Sequence, residues 1–67
     1  PMPLDPDLKS RLRDKVSTAN KANVDDVIAE VTEARASLPE DDKDYARLTG
    51  WLEDLETVKG GGVPGKF

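Results

Sequence analysis

Cysteine and histidine are absent from this chain of 67 residues, and Trp, Tyr, Phe and Met occur once each. Without cysteine there is no disulfide framework and no thiolate metal site. Without histidine the usual general base near neutral pH is missing. No apolar run is long enough for a signal-peptide core or a membrane span, so the sequence predicts a soluble protein, either cytoplasmic or incorporated in a larger particle. Glycine and proline are scarce where they would matter most: between Pro6 and Gly60 there are only Pro39 and Gly50.

Apolar and charged residues each make up 36% of the chain. A protein of this size has one core at most and buries about 60% of its unfolded surface. That leaves little room for both a substrate pocket and the shell that shapes it. The formal charge of −4 disfavours nucleic acid as a partner for the whole surface.

Three segments carry helical periodicity. The first is predicted over residues 6–21: Asp5 is placed to accept from the first turn, Pro6 suits the first helical position, and Leu8, Leu12, Val16 and Ala19 recur at spacings of four, four and three. The second is predicted over 24–37, with Asn23 as cap and Asp25 and Asp26 in the first turn. Its stripe of Val24, Val27, Ile28, Val31, Ala34 and Leu38 covers about 120° of the wheel, the width of a core-facing surface.

The third helix is predicted over 40–59. Either Ser37-Leu38-Pro39-Glu40 forms a capping box, or Pro39 opens the helix. Tyr45, Leu48, Trp51, Leu52, Leu55 and Val58 line one face, and Gly60 supplies a left-handed stop. Connections of about three to four residues predict antiparallel neighbours, hence an all-α, up-down-up three-helix bundle. Residues 1–5 read as an N-terminal arm, 6–59 as the helical domain and 60–67 as a flexible Gly-rich tail.

Charge is unevenly divided. Residues 1–23 carry five basic and three acidic side chains, whereas residues 24–59 carry four basic and eleven acidic. A basic first helix beside acidic neighbours helps set pairing, with Lys15 and Arg35 snorkelling past the core edge to meet acids. The acids of the third helix, Asp54 among them, also offer a rim to a basic partner. Lys9, Arg11, Arg13 and Lys15 are too few, and lack interleaved aromatics, for a nucleic-acid reader.

Catalysis has no visible seat. Asp54 and Glu56 diverge at i,i+2 on a helix. Ser37 has neither the preceding acid of a phosphopantetheine-bearing serine nor a base beside it. The acidic run from Glu40 to Asp44 lacks the glycine of an EF-hand loop. No cofactor and no metal site are expected.

The residues that break the pattern point to protein binding. Arg35 among aliphatics and the single Trp51 are candidate anchors. Gly50, with small neighbours on the back of the third helix, allows close approach of another backbone. Val63 and Phe67 are apolar groups on the tail. The expectation is a non-catalytic interaction module, an accessory or assembly subunit such as a virion or scaffold component, binding another protein or itself. The alternative is an acidic inhibitor or antitoxin-like regulator that occupies a basic site on its target, including one that binds nucleic acid.

Overall fold

The computed structural model describes residues 4–62, in three helices: α1 (Pro6–Ser17), α2 (Val24–Ala36) and α3 (Lys43–Lys59). Cross-helix contacts fix the topology. Lys59 at the end of α3 meets Asp25 at the start of α2, and Arg35 at the end of α2 meets Thr49 on α3, so these two run antiparallel. Lys9 meets Asp44, start to start, so α1 and α3 run parallel. The result is the expected up-down-up bundle, about 34 Å long and 19 Å by 18 Å across. The predicted arm of residues 1–5 is described only from Leu4 onward, and the tail only as far as Gly62.

The core consists of Leu4, Leu12, Val24, Val27, Val31, Leu38, Leu48 and Leu55. Leu48 and Leu55 contribute from one face of α3, and Val24, Val27 and Val31 from the opposing face of α2. The α2–α3 contact is the most extensive, and α1 is the least embedded helix. Its one fully buried residue is Leu12, with Leu8 and Val16 packed at the edge. Leu4, outside the helices, closes the core.

The starts at Pro6 and Val24 and the end at Lys59 are as expected, and the other three helix ends differ for local reasons. The first helix stops at Ser17, not residue 21. The Ser17 and Thr18 hydroxyls both donate to the Asp14 carbonyl, at 3.0 and 2.9 Å, which ends the ladder early. At its start, the Asp5 side chain makes no cap bond; the Asp5 carbonyl accepts from the Lys9 N–H at 2.9 Å.

Asn23 does not cap α2 with its side chain. Instead Asn20 Oδ1 accepts from the backbone N–H groups of Ala22 (2.8 Å) and Asn23 (3.1 Å), while Asn23 Oδ1 accepts from the Asn20 N–H (2.8 Å). This reciprocal arrangement is a capping box built from two asparagines, one turn earlier than predicted. It lengthens the first connection to residues 18–23.

The second connection is also longer, spanning residues 37–42. Ser37 belongs to the end of α2, which stops at Ala36, and its hydroxyl donates to the Ala34 carbonyl at 2.8 Å. It therefore caps nothing on the third helix. Pro39 accepts a turn bond from the Asp42 N–H, and Asp42 is the cap, accepting from the Asp44 N–H at 2.8 Å. Hence α3 begins at Lys43 and not at residue 40.

At the other end the stop is displaced by one residue. Gly60 retains right-handed geometry, and Gly61, at φ 86°, is the left-handed residue. The Gly62 N–H donates to the Thr57 carbonyl and the Gly61 N–H to that of Val58, which defines a Schellman motif.

Candidate functional site

The seam between α1 and α3 holds an open groove of about 290 Å³. Its α1 wall is Arg13, Val16 and Ser17, extended by Ala19; its α3 wall is Trp51, Asp54 and Val58. A smaller recess of about 50 Å³ continues past Arg13 and Trp51 to Lys9, Ser10 and Arg47. The groove exists because α1 is short of large apolar side chains. Arg13, an exposed residue, stands on the α1 wall, and Trp51 is left partly buried.

The polar groups are arranged by sign. Lys9, Arg13 and Arg47 gather at one end, where Asp44 takes Lys9 at 3.3 Å and Arg47 at 3.8 Å. Asp54 lies toward the other end, beside the apolar surface of Val16, Ala19 and Val58. Trp51 stands between. A large aromatic surface with aliphatic neighbours and charges of both signs at its rim has the make-up of a protein-binding hot spot.

Of the residues singled out from sequence, the structure brings Trp51 and Asp54 together here. Gly50 is adjacent on α3, and among the described residues a Cβ built on it would meet nothing within 4 Å.

Arg35 sits elsewhere and has a different role from the one expected. Its guanidinium donates to Thr49 Oγ1 at 3.0 Å and lies 5.2 Å from the centroid of the Tyr45 ring, so it joins the α2 end to α3. It meets a hydroxyl and an aromatic face, not an acid. Lys15 does meet an acid, Glu30, at 2.6 Å. Val63 and Phe67 lie outside the described residues.

Sequence reasoning missed Arg13 and Arg47 as members of the site. The signal was present: Arg47, Trp51, Asp54 and Val58 fall at spacings of four, three and four, a second stripe beside the core stripe.

A second open groove, between α1 and α2, is lined by Leu8, Leu12, Glu30, Glu33, Ala34 and Ser37. Glu30 there is engaged by Lys15. Among the described residues no three acidic side chains are grouped so as to hold a metal ion, and no buried side-chain polar atom lacks a partner. No described helix is long and apolar enough to cross a membrane. Comparison with protein-family models, with curated proteins and with solved structures gives no match for this chain.

Proposed function

We propose that this protein is a non-catalytic protein-binding module that acts as an accessory or assembly subunit, of the kind that serves a scaffold or a virion. The observation that carries the reading is the partly buried Trp51 in the α1–α3 groove, with aliphatic neighbours and oppositely charged rims. The small core agrees with it. Single cores of this size usually net only about 3–5 kcal/mol, so binding at the seam of the least embedded helix would reinforce its weakest contact.

The second reading, an acidic inhibitor, draws on a different surface. Asp26, Glu33, Glu40, Asp41, Glu53 and Glu56 are exposed and take part in no ion pair among the described residues. Recognition through them would slow steeply with added salt, whereas docking at Trp51, between rims of both signs, would slow less.

Site-specific photocrosslinking in the native source tests the primary reading. A photoreactive residue replacing Ser17, on the groove wall, is expected to give protein adducts that one replacing Thr32, on the exposed face of α2, does not. Adducts from position 32 alone, or equally from both, would move the binding surface off the groove.

A further inference from the structure

The basic end of the groove is a recess lined by Lys9, Ser10, Arg13, Arg47 and Trp51. Three of these residues are cations, drawn from two helices, in a chain whose formal charge is −4. Asp44 offsets one of them. Its Oδ1 takes the Lys9 ammonium at 3.3 Å, whereas Arg47 reaches only 3.8 Å from it, beyond hydrogen-bonding range. Arg13 is exposed and joins no ion pair among the described residues.

The uncharged groups here are also unspent donors. The hydroxyls of Ser17, Thr49 and Thr57 turn back onto carbonyls of their own helices. That of Ser10 makes no hydrogen bond among the described residues, and neither does the Trp51 indole N–H. Apart from the Lys9–Asp44 contact, the arrangement works against the fold. Lys9 and Arg13 are like charges at i,i+4 on α1, which weakens a helix, and Arg47 brings a third from α3. An oxyanion among them turns that repulsion into attraction, because a guanidinium fork offers paired N–H groups to two oxygens of one acid group.

We propose that this recess is an oxyanion site that seats an acidic side chain of the protein bound in the groove. This rests on the reading of the groove as protein-binding and names the chemistry of its partner.

Two features point to a protein carboxylate over a nucleic acid. The recess shares Arg13 and Trp51 with the apolar part of the groove, so a ligand that fills both also lays apolar surface against Val16, Ala19 and Val58. The net charge of −4 repels a polyanion, yet tolerates one carboxylate set among apolar neighbours.

NMR on the full chain tests the site, with inorganic phosphate as the probe and circular dichroism confirming that each variant is folded. Sodium phosphate replaces sodium chloride at fixed ionic strength. Saturable shifts are expected at the Arg13 and Arg47 Nε–H and Trp51 Nε1–H signals. Their midpoint should be on the order of 10 mM, as for a few partly exposed charged hydrogen bonds. Arg13→Gln is expected to weaken binding by about fivefold or more. Arg11→Gln, on exposed α1 surface outside the recess, is expected to leave it unchanged. In the native source, Arg13→Glu is expected to abolish the crosslink from position 17, and Arg11→Glu to retain it.

Shifts that do not saturate, or that respond equally to Arg11→Gln, would overturn the oxyanion site. A crosslink from position 17 indifferent to Arg13→Glu would overturn the seating of a partner's acid there and leave the groove reading intact. Absence of that crosslink without either substitution would remove the groove reading and the partner with it, whatever the phosphate titration shows.

Discussion

The Lys9 ammonium lies 3.3 Å from Oδ1 of Asp44, joining the first turn of α1 to the first turn of α3. Asp44 is 7% exposed and is the one buried charged side chain among the described residues. Arg47, one turn further on, approaches the same oxygen at 3.8 Å. The carboxylate also sits at the positive end of the α3 dipole. One buried acid therefore fixes the start of the helix that is otherwise least attached.

Asp44→Asn keeps the shape and removes the charge. Loss of the dipole interaction and of charged hydrogen bonding should cost about 1–2 kcal/mol. Lys9→Ala should cost less, under about 1 kcal/mol, because Lys9 is 35% exposed and its pairing is screened. Thermal unfolding of the two variants checks the order; an equal or reversed pair of shifts would show that Asp44 is not the anchor.

Gly60 and Gly61 should respond oppositely to alanine. At Gly61 the φ of 86° is strained for any L side chain, and Gly61→Ala should cost about 1 kcal/mol. At Gly60 the backbone is helical and a Cβ would rest 3.6 Å from the Glu56 and Thr57 carbonyls, an ordinary contact. Gly60→Ala should be neutral or stabilise by a few tenths of a kcal/mol, up to about 1. Denaturant midpoints measured on both variants decide which glycine terminates α3.

Gly50→Ala should stabilise the isolated fold by about 0.5–1 kcal/mol, because the new methyl meets open space in a helix interior. The measurement is urea unfolding at low protein concentration. A destabilised variant would mean that position 50 is constrained within the chain.

Lys59 carries the pH-dependent contact between α2 and α3. Its hydrogen bond to Asp25, then the charges of Asp25 and Glu56, raise its pKa above the ordinary 10.5. The folded chain thus holds this proton more tightly than the unfolded chain. The contribution is complete below the ordinary lysine value and disappears as pH rises through the raised one. Asp25→Asn should bring the Lys59 titration, followed by NMR at Nζ, back toward 10.5. An unmoved titration would separate Lys59 from Asp25.

The three helices were legible because their evidence is periodic and local. Val24, Val27 and Val31, or Leu48 and Leu55, recur at helical spacing whatever surrounds them, and short connections leave few ways to stack three such stripes. The ends were less legible, because several residues could cap each one. Asn20 and Asn23 both precede α2, and only the folded turn shows them bonding to each other. Ser37 and Asp42 both precede α3, and the choice fell to Asp42 because Ser37 is drawn back to the Ala34 carbonyl.

The candidate site divides in the same way. By itself the sequence determined that there is one small core, a basic first helix against an acidic remainder, and a single Trp at the edge of the third helical stripe. Those properties follow from composition and spacing. Tertiary structure alone decided that Arg13 of α1 comes to the side of that Trp, that the seam there stays open, and that Arg35 is spent on Thr49 and Tyr45. The reason is physical: a stripe gives the direction of a side chain about its own helix axis, but only the packing of a neighbouring helix decides which edge residues are covered. Because α1 is thin in large apolar groups, its seam with α3 stays open, and Trp51 stays within reach of a partner.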